Sequence, residues 1–137
     1  MKNPIIMAFA REMLQMTDQD MAKITPQQEE EFQNAFENMG KYRLVAEVDK
    51  SKYCTAGLKT GQKIIVTGSL IDKEASDCPL CPGMIAPLSA SVQVYIDRCS
   101  RNRDLTAPMP AITCIDPGLD AGGLGNVTMK VRIEALP

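Results

Sequence analysis

The first 40 residues have the hydrophobic period of α-helices. Apolar side chains recur at spacings of three and four residues, as on one face of a helix, at Ile6, Phe9, Ala10, Met13 and Leu14. A further helix has a clear start signal, because Thr25 can cap it, Pro26 suits its first position and Gln28 completes a capping box. Gly40 is placed to end that helix. We therefore predict a helical arm over residues 1–40.

After Gly40 the hydrophobic period changes to that of β-strands. Along residues 42–49, alternate side chains are expected to lie on opposite faces of a half-buried strand. The apolar set is Tyr42, Leu44, Ala46 and Val48, and it alternates with Arg43, Val45, Glu47 and Asp49. The same reasoning predicts further strands at residues 62–67, 111–115 and 127–134.

The clearest of these strands is residues 127–134. We expect one set of its side chains to face the core, namely Val127, Met129, Val131 and Ile133. The alternating polar residues Lys130, Arg132 and Glu134 are expected to face outward. A shift of one residue in register would exchange the two sets, so the pattern specifies the buried face strongly.

Residues 83–100 fit two patterns. Helical spacing relates their apolar side chains Met84, Ile85, Leu88, Val92, Tyr95, Ile96 and Cys99. The alternation of Val92, Val94 and Ile96 would also fit a strand. We favour the helix.

This order of elements predicts an α+β fold. We expect a small, mostly antiparallel sheet with one packed helix, preceded by the N-terminal helical arm. The chain is accordingly divided into the helical arm, residues 1–40, and a cysteine-containing α+β domain, residues 41–137. The connecting segments at residues 68–77, 101–110 and 116–126 are expected to be loops or turns.

The composition is that of a globular protein, and it argues against two classes of partner. Of 137 residues, 45% are hydrophobic and 23% are charged, with a net charge of −2. Because the surface is slightly acidic, we expect neither a nucleic acid nor an anionic membrane as partner.

No apolar run approaches the roughly 20 residues of a membrane-spanning helix. Arg11 and Glu12 interrupt the first apolar stretch and no cleavage site follows, so we expect a cytoplasmic protein.

The residues that carry chemistry are unevenly represented. The chain has five cysteines and no histidine. The absence of histidine excludes Ser-His-Asp and Cys-His catalysis, histidine-ligated zinc and haem with an axial histidine. Without a secretory signal, the cysteines are expected to be reduced thiols or metal ligands before disulfides.

Four of the cysteines lie in or beside turns. Cys78 and Cys81 form a Cys-Pro-Leu-Cys turn, and Cys54 and Cys114 lie in turn-like segments of their own. Turns can direct several thiolates to one point, as zinc and iron–sulfur sites require. We therefore predict a metal site with these four cysteines as ligands and zinc or an iron–sulfur cluster as its cofactor. Cys99, on the helical stripe, is expected to be buried, and inert burial is also the alternative for the other four.

Two motifs relate the α+β domain to known proteins. Residues 52–62 match a G-x-C-x-x-G-x-K-x-G-D segment, with Lys52 in place of the first glycine and Gln62 in place of the aspartate. Residues 114–117 match a C-P-D-P segment, with Ile115 in place of the first proline.

On these motifs, residues 42–135 resemble a family of small, uncharacterised prokaryotic proteins. The resemblance implies that Cys54, Cys114 and one of Cys78 and Cys81 belong to one shared site. It implies no function, and the helical arm lies outside it.

Together these features favour a non-catalytic protein that binds a metal. No pair of carboxylates is placed for acid–base catalysis, and a catalytic histidine is absent. The amphipathic, methionine-rich arm suits docking to another protein chain, either a second copy or a subunit of a larger enzyme. The leading hypothesis is a metal-binding accessory subunit of a larger enzyme complex. The alternative is a small redox or metal-dependent enzyme that uses the Cys78/Cys81 pair.

Overall fold

The computed structural model describes residues 1–137 and has the predicted α+β class. Its helices are α1 Pro4–Glu12, α2 Asp18–Met21, α3 Pro26–Met39 and α4 Pro82–Ser100. Its strands are β1 Tyr42–Lys52, β2 Lys63–Thr67, β3 Leu70–Ile71, β4 Ile112–Thr113 and β5 Asn126–Ala135. A single 3-10 turn, Leu119–Ala121, lies between β4 and β5. None of the helices has the combination of length and apolar sequence that a membrane crossing requires.

Side-chain caps fix the starts of the arm helices. The Asn3 side-chain oxygen accepts hydrogen bonds from two first-turn amides of α1. At α3 the predicted capping box is present, because the Gln28 N–H donates to Thr25 Oγ1 over 3.1 Å and the Thr25 N–H donates to Gln28 Oε1 over 2.9 Å. The Glu29 carboxylate joins the two helix starts by accepting from the Asn3 N–H over 2.7 Å. Each cap satisfies amides that a helix leaves without intrahelical partners.

The five strands form one antiparallel sheet in the order β3-β2-β1-β5-β4. The two long strands, β1 and β5, pair along their whole length, from Tyr42 opposite Ala135 to Lys52 opposite Asn126. One irregularity at Asp49 shifts the register within this pairing. The short strands β3 and β4 form the two edges.

The core lies between one face of the sheet and α4. The residues of β5 that were expected to face inward are buried, namely Val127, Met129, Val131 and Ile133. Between them, Lys130 is exposed and Arg132 is half-buried, so the predicted face of β5 is confirmed. The buried residues of α4 are Gly83, Met84, Leu88, Ser91, Tyr95 and Cys99. Their helical spacing confirms the helix over the alternative strand.

Tyr95 connects α4 to two parts of the sheet. Its side chain is fully buried, and its hydroxyl donates to the Tyr42 carbonyl over 2.8 Å and accepts from the Gly68 N–H over 3.4 Å. Burial raises the pKa of Tyr95 to about 12, so the hydroxyl keeps its proton and remains a donor. These bonds fix α4 against the start of β1 and the turn between β2 and β3.

The opposite face of the sheet buries two apolar residues. Val45 has no exposed surface, although it points away from Leu44 and the core, and it lies opposite the buried Ile65 of β2. The sequence pattern placed Val45 among polar neighbours on a half-exposed face, and for this residue the expectation of exposure is wrong. Its other cross-strand neighbour, Arg132, is ion-paired with Glu47 over 3.4 Å. The aliphatic stems of such paired side chains can cover an apolar neighbour.

The helical arm packs against α4 through α3. The Asn38 side-chain amide donates to the Cys99 carbonyl over 2.8 Å, and that of Asn34 donates to the Ser100 carbonyl over 3.0 Å. The carbonyls of a last helical turn lack intrahelical partners, so α3 caps the end of α4. Three phenylalanine rings join α1 to α3, with centroid distances of 5.8 and 5.7 Å.

The substitution Tyr95→Phe is expected to destabilise the fold. It removes the hydrogen bond to the part-buried Tyr42 carbonyl, and a typical intramolecular hydrogen bond contributes about 0.5–1.5 kcal/mol. Urea unfolding followed by circular dichroism measures this loss. The matched control is Tyr53→Phe, the same chemical change at a side chain that is 57% exposed. Equal stability of the two variants would contradict the role of the Tyr95 hydroxyl.

Candidate functional site

The segments that carry four of the five cysteines meet beyond the strand ends on one side of the sheet. Because the strands are antiparallel, the carboxyl ends of β1 and β4 lie beside the amino ends of β2 and β5. Cys54 follows β1, and Cys114 follows β4. Cys78 is tied to the start of β2, because its N–H donates to the Lys63 carbonyl over 3.2 Å. Cys81 immediately precedes α4.

Cys81 is the N-cap residue of α4. Its carbonyl accepts hydrogen bonds from the Met84 and Ile85 amides, but its thiol makes no capping bond. The thiol is therefore not engaged with its own helix. The positive end of the helix dipole favours an anionic group bound at this position.

Cys114 packs directly on the first turn of α4. The Ile115 N–H donates to the Gly83 carbonyl over 3.2 Å, and the Cys114 N–H donates to the Val127 carbonyl over 2.9 Å. A Cβ at Gly83 would lie 3.1 Å from the Ile115 side chain and 3.4 Å from Cys114 Sγ. The missing side chain at Gly83 thus allows the close approach of the Cys114 segment. The Asp116 N–H donates to Cys114 Sγ over 3.5 Å.

A second glycine brings the loop before β5 onto Cys54. A Cβ at Gly125 would lie 2.8 Å from the Tyr53 carbonyl oxygen and 3.3 Å from Cys54 Cα. The first of these distances is too short for a real contact, so any larger residue would displace the Tyr53–Cys54 segment. The turn after Cys54 is closed by the Gly57 N–H, which donates to the Cys54 carbonyl over 3.1 Å.

Asp116 organises the loop between β4 and β5. Its Oδ1 accepts from the Gly118 and Leu124 amides over 3.0 and 2.9 Å, and its Oδ2 accepts from the Gly125 amide over 2.9 Å. These backbone hydrogen bonds lower the pKa of the Asp116 carboxyl group. One carboxylate therefore ties together the start and the end of the loop that borders the cysteines.

The surrounding segments form an open pocket of about 400 Å³. Three half-buried thiols line it, those of Cys54, Cys81 and Cys114. The remaining wall consists of Thr55, Gly83, Ile115, Asp116, Pro117, Gly123, Gly125 and Val127. Since the Asp116 carboxylate is already engaged with backbone amides, the thiols are the donor groups of this pocket that remain available for a soft metal.

Cys78 and Cys99 have a different environment. Cys78 is 6% exposed, belongs to the core cluster and does not line the pocket. Burial, and to a smaller extent the nearby Asp77, Cys54 and Cys81, raise the pKa of its thiol to about 11. Cys99 is fully buried in α4, as predicted, and burial raises the pKa of its thiol to about 11. Both thiols are therefore protonated at neutral pH in the metal-free chain.

The structure thus brings three of the four predicted ligands to one pocket and places Cys78 in the adjacent core. As placed, no three cysteine, aspartate or glutamate side chains form a group able to hold a metal ion. Reasoning from the sequence missed Gly83 and Gly125, and it gave Asp116 no role beyond a turn. The only sequence signal for Asp116 and Gly125 is the glycine-rich segment 122–125, in which Leu124 is the one other residue.

Comparison of the chain with known proteins gives no match. No protein-family model matches it, and no curated protein or solved structure is similar enough to be matched. The resemblance of residues 42–135 to the prokaryotic family that shares the two motifs stays a prediction. The geometry of the pocket is therefore the main guide to function.

The substitution Asp116→Asn is expected to lower the free energy of unfolding at neutral pH. A neutral amide has one acceptor oxygen, so at least one of the three backbone bonds is lost. The folded-state pKa of Asp116 is lowered from the unfolded value of about 3.9. The Asp116 carboxylate therefore stabilises the folded chain at pH values above the unfolded-state pKa. This contribution is lost as the pH falls through the folded-state pKa. Urea unfolding at about pH 7 and about pH 3 should show the larger difference from wild type at pH 7.

The control for this measurement is Asp120→Asn, which removes an exposed carboxylate from the same loop. It should change the free energy of unfolding little at either pH, because substitutions of exposed residues outside hydrogen-bond networks usually have small effects on stability. If the two variants behave alike, Asp116 does not organise the loop.

Proposed function

We propose that this chain is a metal-binding accessory subunit of a larger enzyme, with no catalytic step of its own. The observation that carries the metal part is the pocket lined by the thiols of Cys54, Cys81 and Cys114. The fourth ligand is Cys78, which lies close enough to Cys54 and Cys81 for them to affect its pKa. Thiolates are preferred ligands of zinc and of iron–sulfur clusters. The cytoplasm, where thiols stay reduced, is the compartment that suits such a site.

Two features of the pocket favour bound thiolates. A metal-bound cysteine is deprotonated, so the site gains negative charge when it is filled. The amino end of α4, a helix of 19 residues, lies beside Cys81 and provides the positive end of a helix dipole. The Asp116 N–H already donates to Cys114 Sγ over 3.5 Å. Both features stabilise sulfur that carries negative charge.

The alternative, a redox enzyme based on the Cys78/Cys81 pair, has less support. An attacking thiol has to be ionised, and in catalytic cysteines the pKa is therefore lowered. Burial instead raises the pKa of Cys78 to about 11. A metal ion overcomes this cost by binding the thiolate directly, so ligation suits Cys78 better than nucleophilic attack.

The substitution Cys81→Ser is expected to remove most of the bound metal. A serine hydroxyl is a poor replacement for a thiolate toward a soft metal. The measurement is metal content per chain by elemental analysis, after purification without oxygen and after loading with zinc or with iron and sulfide. Cys54→Ser and Cys114→Ser should lose metal in the same way.

The matched control is Cys99→Ala, which removes a thiol that is buried in the core outside the pocket. This variant should retain the metal content of the wild type. Equal losses in Cys81→Ser and Cys99→Ala, or a wild-type chain that takes up neither zinc nor iron, would contradict the metal site.

The helical arm supports the accessory-subunit part of the proposal. Several of its large apolar side chains are exposed, with Met13 69%, Leu14 49% and Phe36 47% exposed, whereas Ile6 and Met21 are buried. Between the arm and α4 lies a groove of about 440 Å³ whose apolar lining includes Phe9, Phe32, Met39 and Ile96. We propose this groove and the exposed side chains around it as the docking surface for the enzyme subunit.

Charge favours a different chain over a second copy as the occupant. Residues 1–40 contain seven acidic and three basic residues, a net charge of −4. The remaining residues therefore carry +2, because the whole chain carries −2. Two copies that met through their arms would repel each other, whereas a partner with a basic surface would be attracted. The proposed partner is accordingly an enzyme subunit that presents apolar side chains flanked by lysine or arginine.

The double substitution Met13→Gln, Leu14→Gln is expected to release the chain from its complex. Both side chains are exposed, so the fold should persist while the apolar contact is lost. The measurement is size-exclusion chromatography of tagged chain expressed in its native source, with the co-eluting enzyme subunit identified and its activity assayed. Higher salt should also weaken the complex, because it screens the charges of the arm.

The control is Leu70→Gln, the same type of change at a leucine of β3 that is 75% exposed. This variant should stay in the complex. A wild-type chain that elutes from the native extract as a free monomer, or only as a homodimer, would contradict the proposed subunit role.

A further inference from the structure

The second half of β5 directs backbone groups to an edge of the sheet. The Leu136 N–H, just beyond β5, donates to the Lys41 carbonyl over 2.8 Å. In an antiparallel pair only every second residue exchanges hydrogen bonds with the neighbouring strand. The N–H and C=O groups of Val131, Ile133 and Ala135 therefore point away from β1. We call this outer side of residues 131–135 the open edge.

No other segment of the chain pairs with the open edge. β4 pairs with β5 only as far as Met129. Continued in the same register, the chain before β4 would place Pro110 and Pro108 opposite the open edge, and proline has no N–H to donate. The Arg98 side chain donates to the carbonyls of Ala107 and Pro108 over 2.7 and 3.2 Å. This segment is therefore bound to α4 rather than to β5.

The opposite edge of the sheet, along β2, is closed by the loop that follows β3. The Lys63 N–H donates to the Asp77 carboxylate over 2.7 Å, and the Ile65 N–H donates to the Ser76 hydroxyl over 2.8 Å. The Asp72 N–H donates to the Ile65 carbonyl over 2.8 Å. An unpaired edge is a template for another strand, so proteins usually block their edges. This chain blocks one edge and leaves the other available for pairing.

We infer that the open edge pairs with the same edge of a second copy of this chain. The two β5 strands run antiparallel about a two-fold axis at Ile133. In this register Arg132 of each copy lies opposite the partner's Glu134, and opposite charges at such cross-strand positions are stabilising. An axis one residue away, at Arg132 or at Glu134, would set like charges opposite each other. The charge pattern is therefore self-complementary in one register.

The pairing joins the five-stranded sheets of the two copies into one continuous sheet. It forms about six backbone hydrogen bonds, two for each of the residue pairs that face each other. The side chains of Arg132 and Glu134 are 43% and 33% exposed, so both can reach the partner. Because only five residues of each copy pair, the interface is small, and we expect a reversible dimer of about micromolar or weaker affinity.

The inference depends neither on the metal site nor on the arm. The groove proposed for the enzyme subunit reaches Ser69, in the turn between β2 and β3. That turn lies on the other side of the sheet from the open edge, because the strand order is β3-β2-β1-β5-β4. Both surfaces can therefore be occupied at once, with two copies of the chain in each complex.

The first test is sedimentation equilibrium of the full chain from about 1 μM to about 1 mM, a range that covers affinities typical of weak association. Wild type should change from monomer to dimer. Ala135→Pro should remain a monomer, because it removes an amide of the open edge that makes no bond within the chain. The control Ala135→Ser keeps this amide and should dimerise. A wild-type chain that is monomeric throughout, or Ala135→Pro that dimerises like wild type, would overturn the inference.

The second test reverses the charges that select the register. Arg132→Glu and Glu134→Arg each place like charges opposite each other in a homodimer, so each variant alone should be monomeric. An equimolar mixture of the two should form a heterodimer, because all facing pairs are then of opposite charge. Circular dichroism shows that both variants are folded, and native mass spectrometry distinguishes the three possible dimers. Two folded variants that fail to dimerise when mixed, or that dimerise equally well alone, would rule out the two-fold axis at Ile133.

Discussion

The pairing of β1 with β5 sets the geometry on which the rest of the molecule depends. It places Lys52 opposite Asn126, so that Cys54 and Gly125, which lie just beyond these residues, are brought against each other. The same pairing positions β4, and with it Cys114, along the outer edge of β5. A slip of one residue would turn the apolar set of β5 to the outer face and separate the two sides of the pocket. The register of the β1–β5 pair therefore determines both which residues form the core and which segments meet at the pocket.

The pocket is formed by loops, and a few local hydrogen bonds and close contacts fix the conformation of these loops. Asp116 fixes both ends of one loop through three backbone amides. Gly125 permits a contact that a side chain would block, and Gly83 permits one that a side chain would crowd. All these loops leave from the sheet or from the start of α4, so regular structure fixes their ends. A metal bound there would in turn stabilise the folded chain, since the unfolded chain offers no preformed site.

Features with a local cause could be read from the sequence. The capping box of Thr25 and Gln28, the helical stripe of α4 and the alternation in β5 all depend on neighbours a few residues apart. Features that depend on residues far apart in the chain could not be predicted from the sequence. β3 has two residues, too few for any period, and it exists because the edge of β2 offers partners. Val45 is buried by its cross-strand environment, which its own strand does not reveal. The cysteines signalled a site, but which three share a pocket depends on pairings between distant strands.

The separation of β1 from β5 along the chain also affects how the protein is made. About seventy residues lie between the end of β1 and the start of β5. At synthesis rates of roughly 5–20 residues per second, β1 waits about 4–15 s for its longest partner. During that interval only β2 can pair with it, so one edge of an apolar central strand is open to other nascent chains. The arm leaves the ribosome before α4 does and gains its contact with α4 only later. The chain is therefore most exposed to aggregation before the pocket lined by its cysteines has formed.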